Sequence, residues 1–128
     1  MNAAPVAAAT KVLVVEDEEG IRSTVAAILR MKGYVVSEAV DGEDALRMLS
    51  EQPVEVMILD VRMPRRDGVA VLDALDKPPA VVLMSAHSLD ADSHERLEHK
   101  IFAVLKKPFH PDRLVDMVEA AVRRSTLP

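Results

Sequence analysis

The chain has 128 residues, 16 Lys and Arg against 21 Asp and Glu, a net charge of -5, 49% hydrophobic residues and no cysteine. This is one domain's worth of chain, enough to bury about two-thirds of its unfolded surface without staples, and disulfides and thiolate-held metals are excluded. Mild acidity disfavours nucleic acid or an anionic membrane as a partner, and no apolar run approaches the roughly 20 residues of a membrane span.

Residues 1–10, which include Ala3, Ala4, Pro5 and Thr10, lack the charged start and continuous apolar stretch of a secretory signal. They are expected to form a disordered tail on a cytoplasmic protein. Lys11 to Val15 is a short β-branched run that breaks into Glu16-Asp17-Glu18-Glu19, the pattern of a strand buried on both faces with acids at its carboxyl end. Ile21, Val25, Ile28 and Leu29 then recur at helical spacing, the acidic start suits the helix dipole, and Gly33 ends the helix. Tyr34 to Ala39 is a weaker second strand. Asp41-Gly42 turns the chain into a helix carrying Ala45, Leu46 and Leu49, which ends near Pro53.

Val54 to Leu59 predicts a third strand ended by Asp60. A Pro-containing loop to Gly68 follows, then a helix carrying Val69, Val71, Leu72 and Leu75 that Pro78-Pro79 closes. Ala80 to Met84 is the fourth strand, with Ser85 at its end, and Ser88 to Lys100 a polar fourth helix. Phe102 to Leu105 is the fifth strand. Lys106-Lys107-Pro108-Phe109 leads into a last helix that begins at Pro111-Asp112 and carries Leu114, Val118, Ala121 and Val122. Five βα units predict an α/β fold, a parallel sheet with helices on both faces.

Sites in open α/β sheets lie outside the carboxyl ends of the strands. Here those ends offer Glu16, Asp17, Asp60, Ser85 and Lys107: three carboxylates, a hydroxyl and an ammonium. Taken singly, each has a plainer reading, since acids favour helix starts and Asp favours turns. Together they make a site. Converging carboxylates repel one another unless a cation is present, and an all-oxygen donor set favours Mg²⁺ or Mn²⁺. A carboxylate beside such a cation and a lysine can attack phosphorus, and Asp60, ending the most apolar strand, is placed to project into the cleft without being buried among side chains. Lys106 and Lys107 point to opposite sides, so only one reaches the site.

The segments Val14-Val15-Glu16-Asp17-Glu18, Leu59-Asp60-Val61-Arg62-Met63-Pro64-Arg65-Arg66-Asp67-Gly68, Ser85-Ala86 and Lys107-Pro108-Phe109 together resemble the receiver domain of two-component response regulators, chemotaxis-type single receivers included. The likeness spans residues 11–124, leaving 125–128 as a tail or the start of a linker. It implies a flavodoxin-like (βα)5 fold of strand order 2-1-3-4-5 with a cis Lys107-Pro108 bond. It also implies Asp60 as phosphoacceptor, Glu16 and Asp17 as the acid pair, and Mg²⁺ held by Asp17, Asp60 and the Arg62 carbonyl. Ser85 becomes the switch hydroxyl and Lys107 the phosphate-contacting lysine. The implied activity is phosphoryl transfer from the phosphohistidine of a sensor histidine kinase or phosphotransfer protein, then slow autodephosphorylation. The domain would not be an enzyme acting on other substrates.

Two departures stand out. Val104 occupies the position where the family usually has Tyr or Phe; Phe102, two residues earlier on the same strand face, is a candidate substitute. Glu98-His99-Lys100 replaces the small residue and Gly that commonly end the fourth helix, so an irregular end is expected there. Arg62 and His87 border the expected pocket, whereas His94, His99 and His110 have no ligand spacing and should face solvent.

The leading function is a phosphorylation-dependent switch that changes the face made by the fourth helix, fifth strand and fifth helix. Output would pass to an effector protein or to a domain outside these residues; direct contact with nucleic acid or membrane is not expected, and a homodimer through the last helices is compatible. The alternative is an atypical receiver that docks partners without phosphate. A haloacid-dehalogenase-like phosphatase fits poorly, because Val61-Arg62 follows Asp60 where a second Asp should stand and no cap domain fits.

Overall fold

The computed structural model describes residues 10–63, 67–86 and 91–126, the side chains of 125 and 126 excepted. Its elements run β1 (Lys11–Val15), α1 (Glu19–Met31), β2 (Val35–Ala39), α2 (Gly42–Glu51), β3 (Val56–Asp60), α3 (Gly68–Ala74), β4 (Ala80–Ser85), α4 (Ala91–Leu97), a 3₁₀ turn (Glu98–Lys100), β5 (Ala103–Lys106) and α5 (Pro111–Thr126). All strand pairings are parallel, in the order β2-β1-β3-β4-β5. The predicted flavodoxin-like α/β topology is the one observed, and the Lys107-Pro108 peptide is cis.

Alternation along the strands divides the core in two. Val12, Val14, Val56, Ile58, Val82 and Met84 pack with Val25 and Leu29 of α1 and Leu114 and Val118 of α5. Leu13, Val15, Met57, Leu59, Val81 and Leu83 face Ala45 of α2, Val71 and Leu72 of α3 and Leu97 of α4. Strands β3 and β4 are buried almost throughout, which is why they read as uninterrupted apolar runs.

The end of α1 is built as its sequence predicts. Gly33 lies at φ 96, its N–H donates to the Arg30 carbonyl, and the Tyr34 N–H reaches back to Leu29, a Schellman closure with Tyr34 and Leu29 in one apolar cluster. Gly33→Ala should lower stability by about 1 kcal/mol, read from the midpoint of urea unfolding.

Two expectations are corrected or resolved here. Phe102 precedes β5, so strand alternation does not place it with Val104: it packs on the α1/α5 face, and the Arg124 guanidinium lies 5.9 Å from its ring centroid. Val104 pairs with Leu83 and is 45% exposed. The end of α4 is irregular, as Glu98-His99-Lys100 suggests. There Lys100 Nζ donates at 2.9 Å to the Leu72 carbonyl, which also accepts the Leu75 N–H, and at 2.8 Å to the Leu75 carbonyl, closing the end of α3, and Arg96 pairs with Asp73.

Candidate functional site

The carboxyl ends of β1, β3, β4 and β5 bring the predicted residues to one place. Glu16, Asp17, Asp60, Arg62, Ser85 and Lys107 all line a cavity of about 200 Å³. Each arrives by a local rule. Glu16 and Asp17 follow β1 and precede the first turn of α1. Asp60 is the last residue of β3 and Ser85 the last of β4. Lys107 follows β5, where its N–H donates to the Ser85 carbonyl at 2.8 Å.

Lys107 organises the interior. Its Nζ donates to Glu16 Oε1 at 2.9 Å and to Asp60 Oδ1 at 3.3 Å. Glu16 is 1% exposed, and its other oxygen accepts the Glu18 N–H at 3.2 Å. Burial alone would lower the Lys107 pKa, but the carboxylates of Glu16 and Asp60 outweigh it and hold it above the ordinary lysine value. Lys106 is exposed at the end of β5, so of the two adjacent lysines only Lys107 lines the cavity, as alternation requires; which of them does so came from the family resemblance.

Asp60 is only 5% exposed, against the expectation that it would not be buried. The strand runs one residue further than its apolar letters, and Glu16 and Lys107 close over its end. The start of α3 crowds it from behind: a Cβ on Gly68 would stand 2.6 Å from the Asp60 carbonyl oxygen. The Gly68 N–H donates to the Val61 carbonyl at 2.9 Å, and Asp67 caps the helix by accepting the Ala70 N–H at 3.0 Å.

Among the described residues, one carboxylate from each of Glu16, Asp17 and Asp60 can lie within 4.8 Å of the others. The donors are all oxygen, and Asp17 is exposed while the other two are buried, so a cation could bind from solvent and keep part of its water. The cluster suits a hard divalent ion. His94 and His110 are exposed, as expected, and His87 lies outside the described residues.

A family model for the response regulator receiver domain matches residues 12–119. This chain belongs to that family. The transcriptional regulatory protein PrrA of Mycobacterium tuberculosis is 38% identical over 117 residues, covering 89% of this chain and 50% of its own length. CpxR of Escherichia coli K12, named likewise, is 34% identical, covering 90% of this chain and 50% of its own. The chain thus spans about half the length of these curated relatives. Among solved structures, chemotaxis protein CheY4 of Vibrio cholerae superposes with a TM-score of 0.81 at 28% identity, covering 88% of this receiver and 98% of CheY4. A Francisella receiver domain gives 0.82 at 28% identity, with 91% and 99% coverage.

The sequence reading passed over one residue of this receiver that touches the acidic loop. Arg22 of α1 donates from Nη1 to the Glu16 carbonyl at 3.0 Å and to the Asp17 carbonyl at 3.5 Å. Its Nε lies 3.3 Å from Glu38 of β2. An arginine on an amphipathic helix normally reads as a solvated charge; the signal was its place one turn beyond a run of four acids, since helical side chains lean toward the N-terminus.

Proposed function

We propose that this receiver accepts a phosphoryl group on Asp60 from the phosphohistidine of a sensor histidine kinase or phosphotransfer protein. The observation that carries the reading is Lys107 Nζ bridging Glu16 and Asp60 in a cavity shared with Asp17, Ser85 and Arg62. A carboxylate oxygen of Asp60 forms the new bond to phosphorus, the phosphorus–nitrogen bond of the donor breaks, and its electron pair stays on the imidazole, which takes a proton. Lys107 is positioned to contact a phosphoryl oxygen, and the Ser85 hydroxyl to hydrogen-bond another.

Asp17, Asp60 and the Arg62 carbonyl would hold Mg²⁺, with Glu16 as an outer carboxylate fixed by Lys107. When bound, the ion supplies positive charge against the transferring group. Water later attacks phosphorus, the Asp60 carboxylate is restored and inorganic phosphate leaves. Arg62 at the rim and His87 would set the access of that water. A neighbouring, mainly apolar groove of about 460 Å³, lined in part by Ile21, Ile28, Pro108 and Phe109, supports a protein as the phosphodonor.

Output would pass through α4, β5 and α5, whose equilibrium phosphate biases. By likeness to PrrA and CpxR, a transcriptional output would belong to sequence beyond this domain or to a partner. The expected lack of nucleic-acid contact is therefore proposed for residues 11–124 alone. Among the described residues no helix is long and apolar enough to cross a membrane. Val104 favours a second reading, phosphate-independent docking, because an exposed valine offers no aromatic ring for a rotamer switch.

Intact mass and amide NMR after incubation with a small phosphodonor and Mg²⁺ test both readings. A single phosphoryl adduct is expected in wild type and none in Asp60→Asn, with amide shifts reaching Val104 and Leu114. An adduct without those distant shifts would favour docking without phosphate control. No adduct in wild type would overturn the proposal.

A further inference from the structure

Four consecutive acids, Glu16 to Glu19, leave β1 and enter α1, and the cluster that would hold a cation needs the first two of them in a fixed place. Lys107 fixes Glu16 from inside the cavity through its side chain. Glu16 Oε2 in turn accepts the Glu18 N–H at 3.2 Å, but neither side chain touches a carbonyl of the backbone from which Asp17 projects. That backbone is held from outside: Arg22 donates to the carbonyls of Glu16 and Asp17, and the Glu16 N–H donates to the Ala39 carbonyl at the end of β2 at 3.1 Å.

Arg22 is itself held. Its side chain is 13% exposed, and Glu38 Oε1 orients its guanidinium while Glu38 Oε2 lies 3.1 Å from Arg30 Nη1 in a second ion pair. Arg30 also donates to the Val36 carbonyl at 3.0 Å, so the chain Arg22-Glu38-Arg30 fastens α1 to the edge strand β2. Among the described residues, Arg22 is the arginine that donates to the Glu16 and Asp17 carbonyls. A planar guanidinium can serve the loop carbonyls and Glu38 from separate nitrogens, which a lysine ammonium on one atom cannot match.

From this geometry we infer that Arg22, oriented by Glu38, is a positioning residue for the cation site: it sets the Glu16–Asp17 backbone so that the Asp17 carboxylate meets Asp60. The inference rests on the Mg²⁺ reading above. It also makes a prediction opposite in sign to simple electrostatics. Removing a nearby positive charge should strengthen cation binding by Coulomb's law. Losing the positioning contact should weaken it, by about tenfold if Arg22 acts as outer-shell partners of metal ligands usually do.

The test is titration of the unphosphorylated protein with MgCl₂, followed by the amide shifts of residues 16–18 and 60–62 and by calorimetry. Arg22→Ala should raise the Mg²⁺ Kd about tenfold and Arg22→Lys should raise it less, because lysine keeps the charge and part of the reach. Glu38→Gln should fall between wild type and Arg22→Ala. Arg30→Ala, which removes the outer ion pair without touching the loop, should leave the Kd within about twofold of wild type. Thermal unfolding of each variant separates lost folding from lost binding. An unchanged or tighter Kd in Arg22→Ala, or an equal loss in Arg30→Ala, overturns the positioning role while leaving the Mg²⁺ reading intact. Wild type that fails to titrate overturns both.

Discussion

Lys107→Met should destabilise the metal-free domain by about 2 kcal/mol, and saturating Mg²⁺ should restore most of that loss. The substitution keeps the apolar stem but leaves Glu16 and Asp60, both nearly buried, facing one another without the ammonium that now bridges them. Breaking a fully buried pair costs about 3–5 kcal/mol; the side chain of Lys107 is 19% exposed, so water moderates the loss. A divalent cation among the carboxylates takes over the missing charge, so the thermal shift on adding Mg²⁺ should be larger in the variant than in wild type. Equal shifts would mean that the carboxylates do not depend on Lys107.

The same pair sets a pH signature. The folded pKa of Lys107 lies above its ordinary value of 10.5, so its contribution is complete below that value and disappears as pH rises through the folded pKa. The loss falls on the alkaline side. Wild type should lose stability there, and Lys107→Met should lack that component.

Gly68→Ala should cost about 2 kcal/mol and should also weaken Mg²⁺ binding and phosphorylation of Asp60. The added methyl meets the backbone of the Asp60–Val61 peptide: the Asp60 carbonyl oxygen at 2.6 Å, the Val61 Cα at 3.0 Å and the Asp60 carbonyl carbon at 3.3 Å. No side chain can rotate away, so either α3 or the end of β3 must shift, as in other overpacked sites. Gly20→Ala is the matched control. It lies in the first turn of α1 with nothing within 4 Å of its ideal Cβ, so the same methyl should be neutral or stabilise by up to about 1 kcal/mol. Unfolding midpoints and Mg²⁺ titration of the two variants check both statements. A Gly68→Ala protein with wild-type Mg²⁺ affinity would show that the close approach does not set the position of Asp60.

What could be read from the letters follows the physics of burial. Strands β1, β3 and β4 lie under helices on both faces, so their apolar runs announced them, and the residues just past those runs named the site. Ends were less legible. Val54 and Glu55 read as strand, but β3 begins at Val56; Val54 instead packs beneath the sheet and the Glu55 N–H donates to the Lys11 carbonyl. Phe102 was misplaced because period-two alternation was extended past the true start of β5. The contacts of Arg22 and Lys100 were illegible for a shared reason: each donates to backbone carbonyls of another segment, and no side-chain pattern records a carbonyl that takes a donor.

The Lys107 contacts join residues 91 and 47 positions apart in the chain. No single hairpin or βα unit contains the constellation, so it exists only when the ends of β1, β3 and β5 are docked together. Any cation or phosphoryl group that prefers the assembled cavity therefore stabilises the whole molecule rather than one loop. Slow amide exchange deep in β3 and β4 should register occupancy at the surface, and a fragment ending before Lys107 should bind neither.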